Sequence, residues 1–327
     1  MKPFLPALAI ALMLWLGGCQ PQDAKLTGDL ESKSEQTGKP FPSAALDTGG
    51  IGDLSEFFDC VREAPGMLIA AHRGGPAPGY PENALETLKN TRAKATPIAE
   101  IDVAESRDGV LFLMHDRTLD RTSTGTGMIA DTDWAEISRA RLVDDDGKVT
   151  DFHPPKLSEV LLWARDAGAI VELDKKQTTS YRNIISHVRA AKAENHVILI
   201  AYTDNQAIEI ARLAPDLMLT ASINSRDHQR ELEAAGVDMT KVIAWTGTRN
   251  PNDRAWKALA SRDIESAFGT LGRKGERLDD IYMADGDISE YEDLYFGGLV
   301  LLATDEVFAV SRGLLADDKA MKDCARG

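Results

Sequence analysis

The stretch AIVELDKKQTTSYRNIISHVRAAKAENHVILIAY, residues 169–202, contains the pattern that decides the fold. Its two ends, residues 169–175 and 197–202, are short apolar and β-branched runs, as is typical of buried strands. Between them, residues 180–194 have apolar positions at i, i+3 and i+4 spacing, which predicts an amphipathic helix. The order strand, helix, strand indicates a parallel pair joined by a helical crossover.

The same alternation continues along the chain in both directions. Eight strands and about 260 residues favour a (β/α)8 (TIM) barrel in the α/β class over an open doubly wound sheet, which topology alone leaves open. Residues 264–271 are either a further strand or an insertion, and residues 272–296 cannot be placed. The predicted strands are 67–72, 98–103, 110–115, 169–175, 197–202, 217–223, 242–246 and 299–304, and the predicted helices are 84–95, 157–167, 180–194, 205–214 and 226–235.

The first 18 residues predict a lipoprotein signal peptide. Lys2 precedes an apolar run over residues 4–16 that is short for a membrane span, and a buried N-terminal helix is the alternative. The run ends in Leu-Gly-Gly-Cys19, which resembles a bacterial lipobox, where the chain is cut before the cysteine and the cysteine is acylated. With Gln20 next, we expect a lipid anchor at Cys19 on the periplasmic side of the outer membrane.

Residues 19–50 are polar and predict a flexible tether, which leaves residues 51–327 for a single barrel domain. Two cysteines remain in that domain, Cys60 and Cys324. An exported protein meets an oxidising compartment, so a disulfide between them would join the two ends of the domain. Two separate buried thiols are the alternative, because sequence does not fix connectivity.

The charge balance limits the choice of partners. The chain has 52 acidic and 37 basic residues, a formal net charge of −15. This charge repels phosphate backbones, so we expect no nucleic-acid partner, and nothing in the sequence predicts a protein partner. A bound divalent cation would still let an acidic protein hold a small anionic substrate.

Reactive side chains cluster where predicted strands end, which is where barrels carry their active sites. His72 and His115 end the first and third predicted strands. Glu100 and Asp102 are two residues apart on the second strand, so both side chains point into the lumen. Two inward carboxylates are costly unless a positive group binds them, and oxygen ligands suit Mg²⁺ or Ca²⁺.

The fourth predicted strand adds a second polar set. Glu172, Asp174 and Lys176 also share one face. Carboxylates beside a lysine are the groups that hold a phosphate against a metal ion. A salt-bridged structural layer of the barrel is the alternative.

Several further motifs accompany these side chains. The full set is His72-Arg73-Gly74, Pro81-Glu82-Asn83, Glu100-Ile101-Asp102-Val103, Asp108-Gly109, residues 115–122, Gly125, Gly127, residues 155–161, Trp245-Thr246 and Thr304-Asp305. Over roughly residues 67–305, this set resembles the glycerophosphodiester phosphodiesterase family. The resemblance implies a (β/α)8 barrel that hydrolyses glycerophosphodiesters to glycerol 3-phosphate and an alcohol.

The resemblance also implies roles for individual residues. His72 and His115 are expected to act as general acid and base, and Arg73 to stabilise the charge on phosphorus. Glu100 and Asp102 are expected to bind one divalent cation. The expected substrate and phosphate contacts are Lys176, Asn83 and Trp245.

The fourth strand departs from the family pattern, in which a Lys follows a Glu by two residues. Aligning on Lys176 makes Asp174 the third metal ligand, whereas aligning on Glu172 makes Glu172 the ligand and puts Asp174 where the lysine belongs. We prefer the first alignment, because a site without a lysine would lack positive charge for an anionic substrate. Both carboxylates remain candidate ligands.

Two other functions fit the same motifs. One is phospholipase-D-like cleavage of phospholipids or lysophospholipids on the same barrel, which a membrane anchor would suit. The other is a lipoprotein that binds phosphodiesters without catalysis. Two histidines and at least three carboxylates disfavour this last function, because binding alone needs no acid–base pair.

Overall fold

A computed structural model describes residues 52–64, 66–96, 98–314 and 324. The predicted signal peptide, the tether and Cys19 lie outside these residues. The strands are β1 (Leu68–Ala71), β2 (Ile98–Glu105), β3 (Leu111–Leu113), β4 (Ile170–Lys175), β5 (Val197–Ile200), β6 (Met218–Ser222), β7 (Val242–Trp245), β8 (Glu265–Gly269) and β9 (Leu301–Thr304). The helices are α1 (Leu54–Glu63), α2 (Leu85–Lys94), α3 (Trp134–Ile137), α4 (Leu157–Ala167), α5 (Tyr181–Ala191), α6 (Asp204–Leu213), α7 (Arg226–Ala234), α8 (Asp253–Ala260), α9 (Leu278–Tyr282), α10 (Ser289–Phe296) and α11 (Val307–Gly313).

Eight parallel strands close into a barrel. Their order is β1-β9-β8-β7-β6-β5-β4-β2, and a β1–β2 pairing completes the ring. Helices follow most of the strands and pack their apolar faces against the outside of the sheet. The predicted (β/α)8 barrel is therefore confirmed.

The set of barrel strands differs from the predicted one at two places. The sequence predicts a parallel barrel strand over residues 110–115, but β3 pairs antiparallel with β2. Only five residues separate β2 from β3, too few for a parallel crossover, and Gly109 turns the chain at φ 85°. The missing barrel strand is β8, within the segment 264–271 that the sequence left open.

The lumen is layered from an apolar floor to a charged mouth. Ile98, Ile170 and Ile198 from the lower parts of their strands pack with phenylalanines of α1. Glu100 and Asp102 follow Ile98 on the same face of β2, so polar groups lie above this floor. The charged end of the barrel thus lies above a separate hydrophobic layer.

An ion pair and a disulfide attach α1 at the apolar floor. Arg62 at the end of α1 donates through Nε to Glu265 Oε1 of β8 at 2.9 Å. Cys60 of α1 forms a disulfide with Cys324, with the Cα atoms 5.6 Å apart, and these are the two cysteines that the sequence proposes as a pair.

The segment 272–296, which the sequence did not place, contains α9 and α10. Asp279 of α9 is fully buried and accepts hydrogen bonds from the hydroxyls of Tyr291 and Thr304 and from the backbone N–H of Asp305. This carboxylate ties both helices to the end of β9. Among the described residues, no helix combines the length and apolar character needed to cross a membrane.

Candidate active site

Three buried carboxylates meet at the mouth of the barrel. Glu100, Asp102 and Asp174 each offer an oxygen, and these oxygens lie within 4.8 Å of one another. The parallel register of β2 and β4 places Asp102 directly opposite Asp174. Burial, together with the charges of Asp102 and Asp174, raises the pKa of Glu100 well above its ordinary value.

The donor set of this cluster fits a hard divalent cation. All three groups supply oxygen, the ligand type that Mg²⁺ and Ca²⁺ prefer. The Oδ1 atom of Asp174 is buried without a hydrogen-bond partner, which is costly unless another group binds it. The three carboxylates that converge are the ones named by the alignment on Lys176, in which Asp174 is the third ligand.

Lys176 lies against the same carboxylates. Its Nζ is 2.5 Å from Asp102 Oδ1 and 2.6 Å from Asp174 Oδ2. Although burial opposes ionisation of Asp102, the Lys176 ammonium lowers the pKa of that carboxyl. The lysine places a positive charge beside the cluster.

His72 follows β1 in a short 3-10 turn and faces the cluster. Its Nδ1 lies 2.6 Å from Asp305 Oδ1, and its Nε2 lies 4.0 Å from Glu100 Oε2. Arg277 Nη1 holds the other oxygen of Asp305 at 2.6 Å. Burial favours the neutral acid, yet the bonds from His72 and Arg277 lower the pKa of Asp305 to about 2.

His115 reaches the mouth by a different route from the one the sequence predicts. The hairpin of β2 and β3 returns the chain, and the Met114 N–H donates to the Asp102 carbonyl at 3.0 Å. His115 Nδ1 lies 2.7 Å from Asp116 Oδ1. Hydrogen bonds from Arg121 and then His115 hold the pKa of Asp116 below its ordinary value.

Arg73 lies at the edge of the cluster in the left-handed conformation, with φ 50°. Its backbone N–H donates to Glu100 Oε2 at 2.8 Å, and its Nη1 donates to Glu82 Oε2 at 3.0 Å. The buried Nε has no hydrogen-bond partner and lies 3.9 Å from Asp102 Oδ2. Arg121 also pairs with Glu82, so this carboxylate joins two guanidinium groups.

The remaining predicted site residues occupy different places. Asn83 is 2% exposed, and its amide both donates to Asp102 Oδ2 at 2.6 Å and accepts from the Asp102 N–H at 2.9 Å. It therefore positions Asp102 and does not line the mouth cavity. Trp245 and Glu172 do line that cavity, but Glu172 is not one of the three converging carboxylates.

Two cavities meet at His72. The mouth cavity has a volume of about 370 Å³ and contains the cluster, both histidines and Lys176. A second cavity of about 630 Å³ lies beyond His72, bordered by the guanidinium groups of Arg73, Arg121 and Arg277. Burial raises the pKa of Glu172, in the mouth cavity, to about 7.

Sequence reasoning assigned no site role to several residues that contact the site. Asp305 follows the last barrel strand, and Tyr202 follows β5 and donates its hydroxyl to Asp174 Oδ2 at 2.8 Å. Their positions just after barrel strands are a signal that could have identified both. Glu82 and Arg121 lie within the quoted motifs, but their pairing joins residues 39 positions apart and depends on the folded chain.

The fold is a (β/α)8 barrel, and its site combines two features. A cluster of three carboxylates could hold a cation, and two nearby histidines are each hydrogen-bonded to a further carboxylate. Residues 72–233 match the model of the Glycerophosphoryl diester phosphodiesterase family, and the chain belongs to this family. The match includes both histidines and all three converging carboxylates.

The chain is also similar to individual proteins. The glycerophosphodiester phosphodiesterase of Caldanaerobacter subterraneus is 28% identical over 158 residues, covering 46% of this chain and 65% of the relative. The uncharacterized protein YqiK of Bacillus subtilis is 27% identical over 155 residues, covering 46% and 63%. The chain thus spans less than two thirds of these curated relatives. A glycerophosphoryl diester phosphodiesterase structure from Parabacteroides distasonis aligns with a TM-score of 0.70 and 27% identity, covering 82% of this chain and 92% of that one.

Proposed function

We propose that the protein is a metal-dependent phosphodiesterase that hydrolyses glycerophosphodiesters to glycerol 3-phosphate and an alcohol. The observation that carries this proposal is the convergence of Glu100, Asp102 and Asp174 beside His72 and His115 at one end of the barrel. The family membership supports the same reaction class. A small phosphodiester is the expected substrate.

The cluster would hold one divalent cation, Mg²⁺ or Ca²⁺, through carboxylate oxygens. When bound, such an ion supplies Lewis-acid stabilisation of charge on the phosphoryl oxygens. Lys176 and Arg73 add fixed positive charge around the same point, so an acidic chain presents a locally cationic site to its anionic substrate.

The two histidines supply the proton transfers. Asp305 and Asp116 each occupy the Nδ1 side of one ring, which leaves the Nε2 atoms available for a substrate. One histidine takes the proton of the glycerol hydroxyl as its oxygen bonds to phosphorus. The other gives a proton to the departing alcohol as its P–O bond breaks. These two steps leave a cyclic phosphate of glycerol. Water then bonds to its phosphorus and gives a proton to one histidine, while the other histidine protonates the glycerol oxygen as the ring P–O bond breaks.

The chain is further proposed to act in the cell envelope, anchored through Cys19. The disulfide between Cys60 and Cys324 supports an oxidising compartment, since such bonds are rare in the cytosol. Mass spectrometry of the mature N-terminus tests the anchor. An N-terminal acylated Cys19 is expected, and an unmodified chain that begins elsewhere contradicts it.

Product analysis tests the catalytic proposal. The wild-type protein is expected to release glycerol 3-phosphate and choline from glycerophosphocholine. His72→Ala and His115→Ala are each expected to lower kcat roughly 10²- to 10⁴-fold, because both act in the transition state. His187→Ala is the matched control, since His187 lies on α5 and contacts the Asn183 carbonyl.

The same assay separates the other functions. Choline release from lysophosphatidylcholine but not from glycerophosphocholine would assign a phospholipase-D-like reaction. Binding of glycerophosphocholine without turnover at any metal concentration would assign a non-catalytic binding protein.

A further inference from the structure

The mouth cavity contains one more carboxyl group, that of Glu172, which belongs neither to the carboxylate cluster nor to the partners of the histidines. Glu172 lies on β4 and is 4% exposed. It pairs in register with Glu100 and precedes Asp174 by two residues. A strand rises about 3.3 Å per residue, so the backbone of Glu172 lies roughly 7 Å from that of Asp174 along β4, at the register level of Glu100.

The Glu172 carboxyl has no hydrogen-bond or ion-pair partner within the part of the chain that the structure describes. Two other buried carboxylates of the barrel strands do have partners: Asp102 pairs with Asn83 and Lys176, and Glu265 pairs with Arg62. An unpaired buried carboxyl is costly, so its retention points to a group that enters from outside. Its side chain lines the mouth cavity, which is the route of entry.

The mouth cavity that Glu172 lines also carries hydroxyl groups. Thr220 and Ser222 of β6 and Thr248 after β7 line the same cavity. Thr220 is 4% exposed, and no described residue hydrogen-bonds to its hydroxyl. Two residues before Glu172 on the same face of β4, Ile170 belongs to the apolar floor that closes the lumen.

We propose that Glu172, together with Thr220, binds the terminal hydroxyl of the substrate's glycerol moiety. This inference rests on the proposed function, because it takes the phosphate to lie beside the cluster. The vicinal hydroxyl must stay near phosphorus to attack it. The terminal hydroxyl lies one carbon further from phosphorus, and Glu172 and Thr220 are lining groups of the same cavity to which no described residue hydrogen-bonds.

The chemistry of the two protein groups selects a hydroxyl. A hydroxyl donates one hydrogen bond and accepts others, so it can satisfy a carboxylate and a threonine hydroxyl together. An ammonium group only donates, and it would leave the Thr220 proton unpaired. A site built around such a pair discriminates against a ligand that lacks the hydroxyl.

A pair of substrates tests this contact. Glycerophosphocholine has the terminal hydroxyl, whereas propane-1,2-diol 1-phosphocholine lacks it and keeps the attacking one. The wild type is expected to prefer glycerophosphocholine roughly 10- to 100-fold in kcat/KM, because the analogue leaves buried groups unpaired. Glu172→Ala is expected to bring this ratio to within about threefold of one, chiefly by lowering kcat/KM for glycerophosphocholine.

Two further variants keep the test decisive. Thr220→Val is expected to reduce the same ratio in part, which covers the case in which Glu172→Ala fails to fold. Glu265→Gln is the matched control, because Glu265 is also buried in the barrel but pairs with Arg62 and does not line the cavity. It is expected to keep the wild-type ratio.

These measurements separate failure of the hydroxyl contact from failure of the proposed hydrolytic function. A wild type that hydrolyses glycerophosphocholine, with a ratio unchanged by Glu172→Ala and Thr220→Val, overturns the hydroxyl contact alone. Calorimetric titration with Mg²⁺ or Ca²⁺ is expected to give equal affinity in wild type and Glu172→Ala. Lost affinity with an unchanged ratio would instead make Glu172 a metal ligand. A wild type that hydrolyses neither diester overturns both proposals.

Discussion

Each histidine of the site is oriented by its own carboxylate, and the two carboxylates have different surroundings. Asp305 is largely buried and is held by Arg277, whereas Asp116 is more exposed and is held by Arg121. These contacts fix the imidazole rings before a substrate binds, so less ordering is needed during the reaction.

The low pKa of Asp305 predicts a pH-dependent contribution to stability. Its folded pKa of about 2 lies below the unfolded value of about 3.9, so the stabilisation is complete above about pH 4. It is lost as the pH falls from about 4 to about 2. Asp305→Asn should therefore be less stable than wild type by about 2–3 kcal/mol at pH 5, with the difference closing towards pH 2.

Urea unfolding of both proteins across this range measures the effect. Asp120→Asn, a change of an exposed aspartate, is the control and should show no such trend. A stability difference between Asp305→Asn and wild type that stays constant from pH 5 to pH 2 would contradict the assigned ion pairing.

The spacing of residues along a strand is sufficient to predict most of the carboxylate cluster. Glu100 and Asp102 share a face by the two-residue repeat, and parallel register then brings Asp174 to Asp102. Asp305 and Glu82 act through partners that are distant in sequence. Local pattern alone does not reveal such pairs.

The element that most affects the site is the turn after β1. It carries His72 and Arg73 and ends at Gly75, which has φ 78°. Thr91 of α2 donates its hydroxyl to the Gly74 carbonyl at 2.7 Å and so fastens this turn to the helix. The turn places both a histidine and an arginine beside the cluster.

Gly75→Ala should disturb the turn. A Cβ at this position would lie 2.8 Å from Thr91 Oγ1 and 3.0 Å from Val307 Cγ1, in addition to the cost of positive φ. We expect a loss of about 2–4 kcal/mol in unfolding free energy and at least a tenfold loss in kcat. Thermal unfolding and steady-state kinetics measure both.

Gly79→Ala is the control for this variant. Gly79 has φ 77°, but a Cβ added there would have no other atom within 4 Å. It should lose only about 1–2 kcal/mol and keep wild-type kcat. Equal effects of the two substitutions would mean that conformational strain, not the contact with Thr91, is what matters at Gly75.

Two strands could not be assigned to their places in the sheet from sequence pattern alone. Residues 110–115 and 264–271 are both short apolar runs, and length and composition do not distinguish a hairpin strand from a barrel strand. The decisive feature is the length of the connection to the preceding strand. His115 still reaches the site, because the hairpin brings it back to the level of Asp102.

For the whole molecule, stability and catalysis are assigned to opposite ends of the barrel. The disulfide and α1 lie at the floor with Ile98 and Ile170, whereas the reactive groups line the mouth. The alternation of strands and helices predicts this architecture. Closure by β8 and the disulfide pairing depend on the meeting of segments that are distant in sequence, which a local pattern does not reveal.

Removing the disulfide should therefore affect stability more than activity. The bridge joins residues 264 positions apart, so the Cys60→Ser, Cys324→Ser variant should lose about 2–5 kcal/mol. At a temperature where it is folded, its kcat should stay within about twofold of wild type. An unchanged Tm, or a large loss of kcat in the folded variant, would contradict this division.

We propose that the carboxylate cluster holds a divalent cation that is required for phosphodiester hydrolysis. Removing and restoring the metal tests this most directly. The rate of glycerol 3-phosphate release from glycerophosphocholine should fall to background in excess chelator and recover when Mg²⁺ or Ca²⁺ is restored. Asp174→Asn should need a higher metal concentration for half-maximal rate. Full turnover by chelator-treated protein that contains no bound metal would contradict the account.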